Sequence, residues 1–255
     1  MLQTRVIPVL LLHNKGLVKT VKFKNPKYVG DPLNAIKIFN EKEVDELIFL
    51  DIDASKEGRE PDYEMIEDFA SECFMPVCYG GGITKLDQIQ KIFKLGIEKV
   101  SINLSALQNL ELIKEASSRF GSQSLVVTVD VKKSFTGKYL VYNHKKAKTE
   151  KTPLQEYLQK IEMAGAGEIL INNVDRDGTL NGYDTKLLKS VVDNVTIPVI
   201  ACGGAGSLED FKTVKKEANV SAVAAGSFFV FHGKHKAVLI TYPHYKKLEE
   251  LFKEE

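Results

Sequence analysis

The chain has 255 residues, of which 44% are hydrophobic and 27% are charged, and its net charge is +1. A charge so close to neutral argues against a general nucleic-acid-binding protein, because such proteins usually have a large excess of basic residues. No apolar run approaches the roughly 20 residues that span a bilayer. The apolar residues 1–12 contain Arg5, and no small-residue cleavage site follows them. We therefore expect a cytoplasmic protein with no membrane and no nucleic-acid partner.

Cysteine and histidine spacing gives no sign of a disulfide framework or of a metal site. The cysteines, Cys73, Cys78 and Cys202, form no C-x-x-C pair, and their number is odd. This usage is typical of a reducing compartment. His232 and His235 are spaced as a metal site requires, but no cysteine or carboxylate cluster lies near them in the sequence. We expect no metal and no cofactor.

Short apolar runs rich in β-branched residues alternate with longer amphipathic segments along the chain. The runs are nearly continuous in hydrophobicity, as strands buried on both faces must be. They predict eight strands, over residues 5–12, 46–52, 75–80, 99–103, 124–131, 168–174, 197–203 and 220–226.

Three of the segments between these runs begin with helix-start signals. Asp31 is a candidate N-cap, and Pro32 follows it at the first helical position. Thr84 has an acidic residue three positions later, and Ser207 shows the same pattern. Gly96 is a candidate helix end. These signals predict helices over residues 31–44, 84–96 and 207–217.

Eight β/α units in 255 residues have the size and order of an α/β fold of the (β/α)8 barrel type, here as a single domain over residues 1–255. A doubly wound open sheet is the alternative architecture. The barrel predicts that the ends of all eight strands meet around one mouth, where binding residues would collect.

An internal repeat favours closure into a barrel. A proline and two glycines stand at matching positions in residues 76–92 and 198–214, pairing Pro76 with Pro198, Gly81 with Gly203 and Gly82 with Gly204. Residues 49–58 likewise resemble residues 173–182. Two fused half-barrels, about 1–120 and 121–255, would produce such a repeat. Chance similarity between amphipathic segments is the alternative.

Glycine-rich turns follow strands in both predicted halves. Glycines there let backbone N–H groups approach an anion closely. The candidate anion-binding residues are Gly81, Gly82, Asn103, Gly203, Gly204, Gly226 and Ser227. Two such turns across one barrel mouth predict a ligand with a phosphate at both ends. The alternative is that the glycines serve tight turns only.

Residues 13–30 form a long predicted loop after the first strand, with lysines at positions 15, 19, 22, 24 and 27. Long barrel loops often act as lids over the site. Lys19 is the candidate for a phosphate or sugar contact, whereas a solvated basic loop explains the other lysines equally well.

Together these motifs resemble the cyclase subunit of imidazole glycerol phosphate synthase, HisF. The resemblance covers the whole chain, through the motifs RVIP (5–8), FLDI (49–52), GGGI (80–83), KVSIN (99–103), VVTVDVK (126–132), GAGEILINNVDRDGT (165–179) and ACGGAG (201–206). It implies a (β/α)8 barrel with a glutaminase subunit docked at its bottom. Ammonia would pass through the barrel interior to a bisphosphate held at the top. The resemblance also adds Asp177 and Gly178 to the candidate substrate-binding residues.

The resemblance further implies a gate at the bottom of the barrel. Its ring of four charged residues matches Arg5, Glu46, Lys99 and Glu168, each at or beside the start of a predicted strand. Such charges must be paired or stay hydrated, because an unpaired buried charge costs several kcal/mol. The alternative to a gate for ammonia is a purely structural salt-bridge plug.

The family's ring-closing chemistry uses one aspartate at the end of the first strand and one at the end of the fifth, as general acid and general base. Asp130 keeps the fifth-strand position, but Leu11 stands at the first. Leucine transfers no proton, and losing a positioned acid or base costs about 10²–10⁴ in rate. His13, two positions further on, is a group that could titrate in its place.

The strand RVIPVLLL (5–12) resembles a divergent branch of the family that occurs with surface-sugar pathways. That resemblance implies a barrel that passes ammonia from a glutaminase-like subunit to a separate ATP-dependent amidotransferase. The amidotransferase would form an acetamidino group on a nucleotide sugar or nonulosonic-acid precursor. A cyclase with altered acid–base residues is the main alternative. A scaffold that binds a phosphorylated metabolite and a sugar isomerase of the sister family are further alternatives, although the isomerase also needs a carboxylate in place of Leu11.

Overall fold

Strands and helices alternate along the chain in the computed structural model, which describes residues 4–233 and 235–253. The strands are β1 (Arg5–His13), β2 (Gly16–Val21), β3 (Lys24–Gly30), β4 (Leu47–Asp51), β5 (Val77–Gly80), β6 (Lys99–Ile102), β7 (Leu125–Lys133), β8 (Tyr139–Asn143), β9 (Lys148–Pro153), β10 (Glu168–Asn173), β11 (Val199–Cys202), β12 (Ala222–Ala225), β13 (Phe231–His232) and β14 (Ala237–Val238). The helices are α1 (Pro32–Glu41), α2 (Ala54–Glu57), α3 (Tyr63–Glu72), α4 (Leu86–Lys94), α5 (Leu104–Gln108), α6 (Glu111–Phe120), α7 (Leu154–Met163), α8 (Thr185–Val192), α9 (Leu208–Ala218), α10 (Ser227–Val230) and α11 (Tyr245–Phe252), with a 3₁₀ turn at Ser122–Ser124.

Eight parallel strands close into a barrel, in the order β1, β4, β5, β6, β7, β10, β11, β12 and back to β1. The pairing of β7 with β10, from Val126 opposite Glu168 to Val131 opposite Asn173, completes the ring. All eight predicted strands are present, and the predicted (β/α)8 barrel is confirmed. The open doubly wound sheet is wrong, because closure leaves the barrel strands with no free edge.

The barrel has two apolar layers, one inside the strands and one between strands and helices. Alternate residues of each strand point inward, and Ile7, Ile48, Val126, Leu170 and Ile200 form the inner cluster. The larger outer cluster joins the strands to the helices. Burying one such side chain contributes about 1.5–3 kcal/mol, so both layers hold the strand ends in fixed positions.

Two of the three predicted helix starts are confirmed as they stand. Asp31 caps α1 by accepting from Asn34 N at 3.0 Å, and Ser207 caps α9 together with Asp210. The prediction at Thr84 is wrong, because α4 begins two residues later, at Leu86. The side chain of Gln88, rather than a hydroxyl at position 84, accepts from the backbone N–H groups that precede this helix.

Residues 13–30 do not form the predicted loop. Strands β2 and β3 make an antiparallel hairpin, with β2 paired to the end of β1. A second hairpin, β8 and β9, follows β7 in the same way and was not predicted. The two hairpins meet where Phe23 contacts Tyr142, with ring centroids 6.2 Å apart. Among the described residues, no helix combines the length and the apolar character needed to cross a membrane.

Candidate functional site

The carboxyl ends of the barrel strands surround a cleft that opens to solvent, here called the mouth. Its wall includes every residue that the sequence indicated for the top of the barrel, namely Lys19, Gly81, Gly82, Asn103, Asp130, Asp177, Gly178, Gly203, Gly204, Gly226 and Ser227. Residues more than 200 positions apart in the sequence therefore lie in one concave site. Barrel enzymes place their chemistry at this end.

Asp130 is buried near the end of β7, and its carboxylate is held by amide groups from two neighbouring strands. Asn103 Nδ2 donates to one carboxylate oxygen at 2.9 Å, and Asn172 Nδ2 donates to the other at 3.3 Å. The imidazole Nδ1 of His144 lies 3.4 Å from the same oxygen that Asn103 contacts. Asp130 and His144 are thus two titratable groups in direct proximity within the mouth.

Leu11 lines the opposite side of the mouth, at the end of β1. It pairs with Leu50 of β4 and with Val18 of β2, so its surroundings are apolar. His13 does not replace it. The His13 imidazole is 2.9 Å from Asp53 and lies outside the wall of the mouth. Alternation alone would place it on the same face as Leu11, so it is the contact with Asp53 that holds it away.

Lys19 projects from β2 into the mouth and is almost fully buried. Its Nζ donates to the carbonyl oxygen of Val9 at 2.5 Å. Burial lowers the pKa of Lys19 to about 8, although the charge of Asp177 opposes this shift. Lys19 is therefore a cation whose charge the solvent does not screen, and an anionic ligand would recover part of the cost of burying it.

Asp177 is bonded to the hairpin of β2 and β3. It accepts from Thr20 Oγ1 at 3.0 Å and from Phe23 N at 3.3 Å, and Lys22 N donates to its backbone oxygen at 3.0 Å. Burial raises the pKa of the Asp177 carboxyl. These bonds fasten the hairpin over the half of the mouth that β10, β11 and β12 build.

The glycine-rich turns need glycine for backbone reasons. Gly82 has φ +72°, and a Cβ there would lie 2.6 Å from the carbonyl oxygen of Arg59. Gly204 has φ +118°, and a Cβ there would collide with the carbonyl oxygen of Gly182. Both turns line the mouth, and glycine is needed in them because a side chain would collide with a neighbouring loop. The phosphate-binding role of the turns stays a prediction.

The predicted gate residues form a closed ring at the opposite end of the barrel. Arg5 bonds to both Glu46 and Glu168, and Lys99 lies 3.1 Å from Glu46 and 3.0 Å from Glu168. Burial alone would lower the pKa of Arg5, but the charges of Glu168 and Glu46 outweigh it and the pKa is raised. All four predicted residues are thus brought together, and each has two partners of opposite charge.

The interior between the ring and the mouth is mostly apolar. Its polar pair is Ser101 and Thr128, whose hydroxyl oxygens are 2.6 Å apart. Cys78 lies in the same inner cluster, fully buried. Such a lining favours a neutral molecule over an ion, because an ion would lose its hydration without gaining a charged partner.

The sequence did not place His144, Asn172 or Cys202 in the site, although all three line the mouth. Asn172 could have been found, because it lies four residues after Glu168 and therefore points inward at the other end of β10. His144 follows the hairpin strand β8, for which no prediction existed. Burial raises the pKa of the Cys202 thiol to about 12, so this thiol stays protonated at neutral pH. Within residues 4–233 and 235–253, no three His, Cys, Asp or Glu side chains are arranged to hold a metal ion.

Comparison with known proteins agrees with this geometry. The model of a family described as histidine biosynthesis protein matches residues 5–236. A Pseudomonas aeruginosa protein named "Putative imidazole glycerol phosphate synthase subunit hisF2" is 57% identical over 249 residues, which are 98% of this chain and 99% of that protein. A Vibrio vulnificus protein with the same name and the suffix hisF3 is 50% identical over 95% of this chain and 94% of its own length. The imidazole glycerol phosphate synthase subunit HisF of Natranaerobius thermophilus is 42% identical over 91% of this chain and 92% of its own.

Proposed function

The chain belongs to the histidine biosynthesis protein family, among the HisF-like subunits of imidazole glycerol phosphate synthase, and on this premise we propose that it carries ammonia to a different nitrogen acceptor. In this proposal a glutaminase partner docks at the base of the barrel and releases ammonia there. The ammonia leaves at the mouth and supports acetamidino modification of a bacterial surface sugar.

The observation that carries the proposal is the contrast between a complete base and an incomplete mouth. Arg5, Glu46, Lys99 and Glu168 keep all four ion pairs of the ring. The mouth has Asp130 on one side and Leu11 on the other. Ammonia transfer needs the ring and the interior, whereas ring closure of an imidazole also needs a second positioned acid or base.

The barrel interior supports passage of ammonia rather than ammonium. Apolar side chains and one hydroxyl pair, Ser101 with Thr128, lie between the two ends. Neutral ammonia loses little on entering such a lining, while ammonium would lose its hydration. Entry requires an ion pair of the ring to separate, and a docked partner is the agent we assign to this step.

The acetamidino acceptor follows from the resemblance of the first strand to the surface-sugar branch. Converting an acetamido group into an acetamidino group replaces its carbonyl oxygen with nitrogen from ammonia. That oxygen must first be activated, and an ATP-dependent amidotransferase would do this, so that the oxygen departs with a phosphate or nucleotide group. The sequence of this chain contains no motif for ATP or for a nucleotide sugar, so a second partner would hold both.

A second candidate function is a cyclase with an altered acid–base pair. The contact between His144 and Asp130, at 3.4 Å, favours it, because it gives the mouth two titratable groups. Both groups, however, stand on the same side, Asp130 within β7 and His144 just after the hairpin strand β8. On the opposite side, position 11 has no proton-transferring group, and the nearby mouth residue Asp51 has its carboxylate bonded to Arg59.

Cyclase turnover separates the two candidates. The purified chain is given the family's bisphosphate substrate with a high concentration of ammonium salt, which replaces the glutaminase, and imidazole glycerol phosphate is measured. We expect no turnover above background. Turnover at the rate of an ordinary cyclase would make the chain a histidine-pathway enzyme and would overturn the proposal.

A further inference from the structure

The two halves of the mouth have matching backbone positions. Asn103 precedes α5 with φ −122° and ψ −81°, and Gly226 precedes α10 with φ −106° and ψ −71°. This uncommon conformation occurs at the end of β6 in one half and of β12 in the other. Leu104 and Ser227, the residues that follow, are therefore structural counterparts at the wall of the mouth.

Two more pairs of counterparts can be read from the strands. Glu46 and Glu168 both belong to the ring at the base, so the residues four positions later, Leu50 and Asn172, are counterparts at the mouth. Leu11 and Asp130 hold the same place near the ends of β1 and β7. In all three pairs, the first half has leucine where the second half has a polar or charged side chain.

The glycine turn of the first half has already used hydrogen-bonding groups internally. Gly82 N donates to Ser55 Oγ at 3.3 Å, and Ser105 Oγ donates to the carbonyl oxygen of Ile83. The lysine on this side of the mouth, Lys56, is exposed. A water-exposed lysine holds an anion weakly, because solvent screens its charge.

The second half keeps a buried cation and an unused polar atom. Lys19 Nζ would lie only 2.9 Å from a Cβ at Gly226, so its charge stands directly at the turn after β12. Asn172 Oδ1 is buried and has no hydrogen-bond partner among the described residues, and because it is an acceptor it would meet a hydroxyl of the ligand rather than its phosphate. Asp177 faces the same region, and Thr20 and Phe23 both donate to one of its two carboxylate oxygens.

We propose that the mouth binds a ligand with a single phosphate group, which the second half holds through Lys19 and the turns at Gly203–Gly204 and Gly226–Ser227. The other end of the ligand is uncharged and lies against Leu11, Leu50 and Leu104. A second phosphate there would lose its hydration against leucine side chains without gaining a buried cation. The inference rests on the proposed function only in taking the mouth as the site where a ligand binds.

Phosphate stoichiometry and a matched pair of sugars test this. Equilibrium dialysis with inorganic phosphate counts the sites, and calorimetry compares fructose 6-phosphate with fructose 1,6-bisphosphate. We expect one phosphate per chain and affinities for the two sugars within about threefold, because the second phosphate finds no buried cation. Two phosphates per chain, no phosphate binding, or at least tenfold tighter binding of the bisphosphate would overturn the proposal.

Matched lysine variants locate the site. Lys19→Gln is expected to weaken phosphate binding about tenfold or more, since a charge-assisted bond in a buried site is lost, whereas Lys56→Gln changes it less than about twofold. Equal effects of the two variants would contradict the assignment.

Leu104→Ser provides a test that does not depend on folding around a new buried glutamine. It should raise the affinity for the bisphosphate relative to that for the monophosphate, and an unchanged ratio of the two affinities would contradict the inference. None of these measurements uses ammonia or cyclase turnover, so they can fail while the proposed function stands, and the reverse also holds.

Discussion

The base and the mouth of the barrel handle charge in opposite ways. At the base, two cations and two carboxylates satisfy one another in a closed ring. At the mouth, Lys19 is bonded to a backbone carbonyl and Asp130 to neutral amides. The charges at the base are therefore paired with one another, while the mouth has charge that a ligand can meet. The difference shows that the two ends of one barrel can hold their charged groups in two distinct ways.

Removing one charge from the ring at the base has the largest expected effect on stability, and it tests the contrast between the two ends directly. Glu46→Gln leaves Arg5 and Lys99 to share Glu168, and we expect the free energy of unfolding to fall by about 3 kcal/mol, as when a buried pair loses one partner. Glu46 itself is only 3% exposed in its side chain. Chemical denaturation measures the effect.

The matched control is Glu156→Gln, because Glu156 pairs with Lys160 on the surface of α7. That change should cost less than about 1 kcal/mol. Equal losses for the two variants would show that the ring contributes no more than an ordinary surface pair.

Putting a carboxylate back at the mouth tests the role of Leu11. In Leu11→Asp, an acid or base again faces Asp130, and we expect cyclase turnover with ammonium salt to rise about 10²-fold over the wild-type background. Leu11→Asn has nearly the same shape but transfers no proton, so it should stay at background. A rise in both variants would mean that polarity, rather than proton transfer, limits the wild type.

The titration of Lys19 sharpens the contrast between the two ends. Its pKa, lowered by burial to about 8, means that the group loses its charge as the pH rises through this value. Sulfate keeps its charge over this range, so its affinity should fall about tenfold between pH 7 and pH 9 as the cation disappears. Calorimetry at several pH values measures this. The Lys19→Gln variant should show a flat profile, and an equally steep fall in that variant would assign the titration to another group.

The contact between the two hairpins gives the smallest expected effect. Phe23 and Tyr142 form an edge-to-face pair across the mouth, with an interplanar angle of 62°. A double-mutant cycle with Phe23→Leu and Tyr142→Leu should give a coupling energy of about 0.5–1.5 kcal/mol. A coupling of zero would mean that the hairpins only touch and do not hold each other.

The barrel could be predicted because its strands are buried on both faces. Runs such as residues 124–131 are continuous in hydrophobicity and lie next to glycine turns that punctuate them clearly. The hairpins at residues 16–30 and 139–153 escaped prediction because all four strands are short and their outer strands, β3 and β9, are rich in lysine and largely exposed, so they lack the alternation that marks a half-buried strand. Their register depends on pairing with β1 and β7, which is tertiary structure.

The residues of the candidate site that lie at the ends of strands could be predicted from the sequence. Gly203, Asn103 and Asp130 could be named because the barrel places all strand ends together. Whether Lys19 reaches the mouth could not be read, because it depends on how the hairpin folds back. The contact of His144 with Asp130 likewise joins two residues through a hairpin that the sequence pattern does not show.

The ring at the base has a topological consequence. Each of its four members touches two neighbours, so the loop can lose any one link and remain a connected chain in which no member is isolated. Opening the ring therefore breaks one ion pair and leaves every charged residue with one partner of opposite charge. The ring has four ion pairs, and a docked partner that separates any one of them would open it.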